Sequence, residues 1–322
     1  MILLRFISGK CLTYPLPEDA QTIGRRSMIG ELAALGAALS WTVSALLYRK
    51  ALQETQPALA NVVRLTLTSA ILVVFVAVIG KLEAFAELPY SVIALAAVSG
   101  ILGLGVGDTL YMLSLKMIGV ARAVPITCTY PLFNLLFAFM MVGKPPTLYV
   151  SLGAILIVAG IWFVSTEKKI TAVSKRILVV GIVTAIATAV LWSVSITMIN
   201  LAVKDDPHLD SALAINTIRV TVIGAIFAAF IPLLCRSHRL TKMPRKAVLF
   251  LISGGLVALG LGWFFLSYSL TLTEEFRAVP ISSVTPLFST LTAVLLFHEK
   301  ISVENALGSV MIVIGIFTIF LI

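Results

Sequence analysis

Long apolar runs without a charged residue dominate this sequence of 322 residues. A helix needs about 20 apolar residues to cross a bilayer, because the hydrocarbon core is ~30 Å thick. Six runs are charge-free and long enough, and four others are slightly shorter or carry one charge. The ten runs are 32–48, 55–80, 88–107, 123–143, 145–166, 177–203, 211–235, 247–273, 278–297 and 305–322. They predict an all-α integral membrane protein with ten transmembrane helices, called spans 1 to 10 below.

The composition excludes a water-soluble fold. Of the residues, 59% are hydrophobic and 12% are charged, with a mean hydropathy of +1.06; soluble domains carry about 25% charged residues. The 24 Lys and Arg exceed the 15 Asp and Glu, but they cluster between the apolar runs, as in membrane-flanking loops. We therefore expect no nucleic-acid partner.

Three widely spaced cysteines without a CxxC motif indicate neither a metal site nor a disulfide framework, and we expect no cofactor.

Residues 1–27 differ from the rest, since they are polar and charged. They contain no long apolar core and no small-residue cleavage site, so they are not a signal peptide. Two interpretations stay open. Either the segment is not translated and the chain starts at Met28, or it is a polar N-terminal tail.

The chain contains an internal duplication. RAVPI at 122–126 recurs at 277–281, and 16 of the 44 aligned positions that follow from this offset are identical, Pro and Gly included. We divide the chain into a first repeat at 28–166, a basic linker at 167–176 and a second repeat at 177–322. Five crossings per repeat would bring the second repeat into the membrane from the opposite side. Such inverted repeats suit alternating access to a site near the membrane midplane.

Several paired residues resemble a known family. They are the Trp-Ser patterns around Trp41 and Trp192, Arg64 with Arg219, the Pro-bearing spans 4 and 9, and the Gly-x₆-Gly of spans 5 and 10. In these features the chain resembles the drug/metabolite transporter superfamily, in its EamA-type branch of ten-helix proteins with two EamA repeats. The resemblance implies a basket-like bundle with a central cavity formed by spans 1–4 and 6–9. Spans 5 and 10 would lie outside, and the activity would be transport of small metabolites, often export.

Polar and aromatic side chains at helical spacing mark candidate substrate-binding faces. Because polar groups are costly in lipid, such stripes should face protein or water; the alternative is that their hydroxyls bond to neighbouring helices. The stripes contain Trp41, Ser44 and Tyr48 in span 1, Thr127, Tyr130 and Asn134 in span 4, Trp192 and Ser195 in span 6, and Ser282, Thr285 and Ser289 in span 9. Further aromatic candidates are Tyr111, Trp263 and Tyr268.

Asp108 is the one acid well inside a predicted helix, helix 3 taken as 91–114, and its repeat position is Trp263. It is either a carboxylate on an ion or substrate path or an acid near a helix end. The small four-helix multidrug members of the superfamily carry a proton-coupling glutamate in their first helix. Trp41 or Thr42 stands near that position here, so a coupling proton stays an open question.

Two arginine pairs and two prolines are candidates for gating or for the interface between repeats. The arginines, near span starts, either snorkel to the membrane edge or form a gate ion pair or an anion-binding rim. The prolines produce either hinges or static bends. These residues are Arg64, Arg219, Arg122, Arg277, Pro125 and Pro280.

The leading functional hypothesis is a secondary transporter in the cell membrane. It would move, and export, an amino-acid-like or an aromatic or cationic metabolite. The alternatives are a carrier for a lipid-linked sugar or nucleotide sugar and, more remotely, a membrane-embedded enzyme, for which the sequence offers no HExxH or similar cluster. Partners are a small-molecule substrate and the bilayer, and the oligomeric state stays open. Loop charge favours both termini outside, whereas members of the family are usually drawn with both inside.

Overall fold

Helices joined by short connections make up the protein. The structure, a computed structural model, describes residues 20–142, 148–166, 174–205, 208–235, 243–297 and 302–319. No strand occurs within these ranges. Most of the expected N-terminal extension and of the basic linker at 167–176 lies outside the described residues. The described part of the extension, from Ala20 onward, is already helical and continuous with the first span.

The first repeat contains α1 (Ala20–Leu52), α2 (Pro57–Val78), α3 (Glu83–Ala86), α4 (Tyr90–Ser99), α5 (Asp108–Ile118), α6 (Val120–Thr127), α7 (Tyr130–Val142) and α8 (Leu148–Thr166). The second contains α9 (Lys175–Asp205), α10 (Leu209–Cys235), α11 (Arg245–Gly255), α12 (Trp263–Leu272), α13 (Glu275–Ser282), α14 (Thr285–Phe297) and α15 (Val303–Ile319). A π-helical segment, Gly100–Gly107, joins α4 to α5, and a second, Leu256–Gly262, joins α11 to α12.

Among the described residues, seven helical segments are long and apolar enough to cross a membrane. They overlap predicted spans 1 to 4 and 6 to 8, and the third extends beyond its predicted end, to Ile118. Spans 5 and 10 contain shorter apolar helices, Leu152–Val164 and Val303–Thr318, and span 9 consists of α13 followed by α14. The all-α membrane architecture is therefore confirmed, and the count of ten crossings stays a prediction.

The π-helical segments occupy equivalent places in the two repeats, and an asparagine from the preceding span serves each. Asn61 Nδ2 donates to the carbonyl oxygens of Leu104, at 2.9 Å, and Gly105, at 3.2 Å. Asn216 Nδ2 donates to the carbonyl of Leu259 at 2.8 Å. A π-helical turn is wider than an α-helical one and disturbs the regular hydrogen bonding. The carboxamides satisfy carbonyl groups that lipid could not.

Spans 4 and 9 are interrupted at equivalent points. Between α6 and α7 the amide of Thr129 donates to the carbonyl of Ile126 at 3.2 Å; between α13 and α14 the amide of Val284 donates to Ile281 at 3.3 Å. Pro131 follows the first break and Pro286 the second. Proline lacks an amide hydrogen and clashes with the preceding turn, which explains why both helices change from α-helical to tighter turns here.

The two repeats meet along a glycine seam between α8 and α15. A Cβ atom added to Gly160 would lie 2.6 Å from the carbonyl oxygen of Gly308, and one added to Gly315 would lie 2.7 Å from that of Gly153. Only a residue without a side chain permits backbones this close, as in other membrane helix pairs. The opposite face of α8 exposes apolar side chains such as Trp162, as expected for lipid contact. The seam therefore explains the glycine pairs of spans 5 and 10.

We expect Gly160→Ala to destabilise the protein. The new methyl group would contact a backbone carbonyl, which cannot rotate away, so the helices would have to separate at a cost of about 1–3 kcal/mol. Thermal unfolding of the purified protein measures the effect. Gly260→Ala is the matched control, since its Cβ would meet nothing closer than 3.6 Å. An equal midpoint for the two variants would contradict the proposed role of the seam.

Candidate functional site

A buried cavity lies between the two repeats. The space between its lining atoms measures about 510 Å³, including the part open to solvent. The lining comes from spans of both repeats: Trp41, Ser44, Tyr48, Arg64, Asp108, Tyr111, Val124, Thr127, Cys128 and Tyr130 from the first, and Trp192, Ile196, Ala258, Trp263 and Thr285 from the second.

Five aromatic rings form one continuous wall of this cavity. The Trp41 and Trp263 rings have centroids 5.1 Å apart, and Trp192 lies 6.4 Å from Trp263. Tyr111, at 5.1 Å, and Tyr130, at 6.4 Å, also pack against Trp192. Most of these contacts are edge-to-face or tilted, the arrangement that the ring quadrupoles favour. The wall is apolar and polarizable, with a few polar tips, and suits a flat or amphipathic ligand.

Asp108 occupies the start of α5, directly after the π-helical segment, and forms a buried ion pair. Its Oδ2 accepts a hydrogen bond from Arg64 Nη2 at 2.6 Å, and its Oδ1 accepts one from Trp192 Nε1 at 2.8 Å. The side chains of Arg64 and Asp108 are 1% and 4% exposed. Arg64 also donates to Asn61 Oδ1 and lies with its Cζ 4.9 Å from the Tyr48 ring centroid. Both carboxylate oxygens of Asp108 are therefore engaged.

Arg219, the repeat partner of Arg64, has different surroundings. Because Trp263 stands at the position of Asp108, the guanidinium faces a ring instead of a carboxylate, with its Cζ 4.3 Å from the Trp263 ring centroid. Its Nε donates to Ser99 Oγ at 2.8 Å and its Nη2 to Ser195 Oγ at 3.1 Å. Within the part of the chain that the structure describes, Arg219 forms no ion pair.

The structure places the four candidate arginines differently. Arg64 and Arg219 lie in the interior at 1% and 0% exposure and do not reach the membrane edge as snorkelling requires. Arg122 is also buried. Arg277 is exposed, and its Nη1 lies 3.4 Å from Oε1 of Glu31 in the other repeat. Pro125 and Pro280 lie inside α6 and α13, one turn before the breaks of spans 4 and 9.

Ten of the fifteen predicted binding residues line the cavity, and five do not. These five have partners elsewhere. Ser195 holds Arg219, and Ser282 shares a 2.6 Å hydrogen bond with the hydroxyl of Tyr130. Ser289 donates to Pro286 in its own helix, and Tyr268 stacks on Phe264 with centroids 6.1 Å apart. The fifth, Asn134, donates to Glu275 Oε1 at 2.9 Å. Helical spacing describes direction around a helix but does not say how far along the helix the cavity extends.

Glu275, at the start of α13, was missed by the sequence analysis. Its second carboxylate oxygen accepts a hydrogen bond from Asn200 Nδ2, so it joins three spans from both repeats. In the sequence it stands within a short charged segment between spans 8 and 9 and looks like any loop acid. The apolar lining residues Val124, Ile196 and Ala258 were missed too, because an apolar residue in a span carries no signal.

Three polar contacts between the repeats, at the starts and ends of helices, form what we call the polar latch. One is Arg277 with Glu31; another is Lys81 Nζ with Asp210 Oδ2 at 2.6 Å. The third is Asn134 with Glu275. The first two pairs are substantially exposed, so each contributes little stability, about 0–1 kcal/mol. Weak contacts of this kind can break without a large free-energy cost.

A helical bundle with several helices long and apolar enough to cross a membrane, and a cavity between its two repeats, defines a multi-pass membrane protein. The sequence profile of the EamA-like transporter family matches residues 28–166 and again 179–321. The chain therefore belongs to the EamA-like transporter family and is a membrane transporter. Membership implies a small-molecule substrate and a lipid environment.

One relative and one solved structure are similar to this chain over most of its length. A protein of Archaeoglobus fulgidus described as an uncharacterized transporter is 24% identical over 301 residues, covering 91% of this chain and 99% of that protein. One solved crystal structure, 21% identical, superposes with a TM-score of 0.63 and covers 90% of this chain and 95% of the other. At that identity the second likeness concerns the fold alone.

We expect Asp108→Asn to lower stability strongly, because it leaves the Arg64 guanidinium buried without its carboxylate. Loss of one partner of a buried pair costs about 3–5 kcal/mol. The double variant Arg64→Gln/Asp108→Asn removes both charges and should recover part of the loss. Thermal unfolding in detergent measures all three proteins. The control pair Lys81→Gln/Asp210→Asn removes an exposed contact and should cost less than about 1 kcal/mol. A double variant no more stable than Asp108→Asn would show that the pair is not the cause.

Proposed function

We propose that this protein is a secondary transporter of the cell membrane that moves a small amphipathic metabolite by alternating access. The observation that carries the proposal is the cavity between the repeats, whose aromatic wall combines Trp41 from one repeat with Trp192 and Trp263 from the other. A site built from both repeats changes its exposure when the repeats move relative to each other. The substrate's apolar part would lie against these rings.

Alternating access also needs elements that can move, and the fold contains suitable ones. The breaks between α6 and α7 and between α13 and α14 occur in both repeats, beside cavity residues Cys128 and Thr285. Interrupted helices at membrane depth are typical of transporter binding sites. An inverted orientation of the repeats would make the two breaks act at opposite membrane faces. We propose that they serve as hinges.

The aromatic side chains that line the cavity pack against one another, so we propose that some of them move to admit a metabolite. The polar latch joins the repeats at one end of the bundle, so we propose that it separates when this end opens to admit or release substrate. Export is the direction that the family resemblance suggests.

The site favours an amino-acid-like compound over a simple cation. The carboxylate of Asp108 is not available to pair with a cation, because its two oxygens are engaged by Arg64 and Trp192. A coupling proton, if the transporter uses one, would have to compete with the Arg64 ion pair at Asp108. Glu275, outside the cavity and held by two carboxamides, is a second candidate carrier.

Uptake into proteoliposomes tests the proposed site. Trp192→Ala removes the ring that contacts Tyr111, Tyr130 and Trp263 and bonds Asp108, so transport of aromatic amino acids should fall by about tenfold or more. The matched control is Trp162→Ala, at a tryptophan that is 69% exposed on the outer face of α8. It should transport normally. Equal transport by both variants would place the substrate elsewhere.

Cross-linking tests the latch. In a protein with Cys11→Ser and Cys235→Ser, we introduce Lys81→Cys and Asp210→Cys and join them with a short bifunctional thiol reagent. If this end must open, cross-linked protein should lose uptake, and a reducible linker should restore it after cleavage. Proteins with only one of the two introduced cysteines, which keep the buried Cys128 as the double variant does, are treated alike as controls. Undiminished uptake by fully cross-linked protein would contradict opening at this end.

A further inference from the structure

Positive charge exceeds negative charge beside the cavity. Within the described residues, Arg64, Arg219 and Asp108 are buried together there. Their formal charges, two positive and one negative, leave a net charge of +1 in this cluster.

The excess arises from a single difference between the repeats. At equivalent positions the first repeat has Asp108 and the second Trp263, whereas both repeats keep their arginine. Arg219 therefore has two serine hydroxyls and an aromatic face for partners. These groups stabilise a guanidinium by dipole and cation–π attraction. They do not neutralise it.

Two buried hydrogen-bond donors of the cluster also lack an acceptor among the described residues. Among the described residues, Arg64 Nε and Arg219 Nη1 are buried and have no hydrogen-bond partner. A buried donor without an acceptor costs about 1–3 kcal/mol, and more when it is charged. An unbalanced charge in a bilayer costs more still and marks ion or substrate paths. The cluster would therefore be stabilised by an anion.

The geometry brings the cavity within reach of this cluster. Arg64 and Asp108 line the cavity directly, and Trp263 both lines the cavity and stacks on the Arg219 guanidinium. An anionic group at the Arg64 end would contact one guanidinium and feel the charge of the second through a ring instead of through water. Coulomb attraction over such distances is weakly screened in a protein interior.

We propose that the cavity selects substrates by one anionic group, a carboxylate, which balances the charge of the Arg64–Asp108–Arg219 cluster while the apolar body lies against the aromatic wall. This inference rests on the proposed transport function and adds the charge of the substrate to it. Both free carboxylates and zwitterionic amino acids carry the required group. Amines without a carboxylate would raise the net charge to +2 and are excluded.

A ligand series of constant shape tests the charge rule. Thermal unfolding of the purified, wild-type protein is followed with phenylpropionate, phenylpropionamide, phenylpropylamine and phenylalanine. We expect a rise in midpoint with phenylpropionate and none with the amide or the amine. A response to phenylalanine as well shows that the site tolerates an ammonium next to the carboxylate. Its absence restricts the substrate to plain carboxylates. A response to the amine with none to phenylpropionate would overturn the proposal.

A variant that makes the two repeats alike at this position tests whether the net charge of the cluster causes the selection of carboxylates. Trp263→Asp places a carboxylate beside Arg219, as Asp108 stands beside Arg64, and makes the cluster neutral. Phenylpropionate should then bind about 30-fold more weakly or worse. Trp263→Phe keeps an apolar ring and the net charge, so it should stay within a few-fold of wild type. Equal weakening in the two variants would mean that the ring matters and the charge does not.

A second pair of variants covers a failure of Trp263→Asp to fold, judged by size-exclusion elution. Arg219→Gln removes the excess charge, whereas Arg219→Lys keeps it at the same place. Only the first should lose the phenylpropionate response, and equal responses in the two would overturn the charge rule.

Failure of the anion site can be told apart from failure of the transport proposal. The first case is binding and vesicle uptake of the amide or the amine that Trp192→Ala abolishes. This result would support the transport proposal and reject the anion site. No binding and no uptake of any of the four compounds would count against the aromatic cavity itself and against the anion site with it.

Discussion

Polar groups inside a bilayer must find their partners within the protein, and most of this structure follows from that requirement. The π-helical segments depend on Asn61 and Asn216, whose carboxamides bind the carbonyl groups that the wide turns disturb. Each asparagine lies one turn before a buried arginine, Arg64 or Arg219. One short stretch of spans 2 and 7 thus supports the backbone of the next span and places a charge beside the cavity.

The two repeats share this framework but differ where function is expected. Equivalent positions hold Asp108 in one repeat and Trp263 in the other, so the first arginine is paired and the second is stacked on a ring. A duplicated chain can keep its architecture while one substitution changes the charge of the shared cavity. Glu275 adds a second asymmetry, because Val120 stands at its equivalent position.

Sequence reasoning was most reliable where a single physical rule acts along the chain. Apolar length predicted the membrane helices, and the repeated motif predicted the paired arginines, prolines and glycines. Helical spacing selected Trp41, Tyr130 and Trp192, which line one cavity. It also selected Asn134 and Ser289, which form hydrogen bonds outside the cavity. Spacing describes direction around a helix, whereas membership of a cavity also depends on depth.

The sequence by itself determined that the protein lies in a bilayer, that it is helical and that it is duplicated. Each of these properties follows from composition and periodicity along the chain. Only the tertiary structure decided the partners. Asp108 lies 44 residues from Arg64, and Asn134 lies 141 residues from Glu275. Which charge is paired and which is left over depends on contacts between distant helices, because ion pairs and hydrogen bonds act over a few ångströms in space, whatever the separation along the chain.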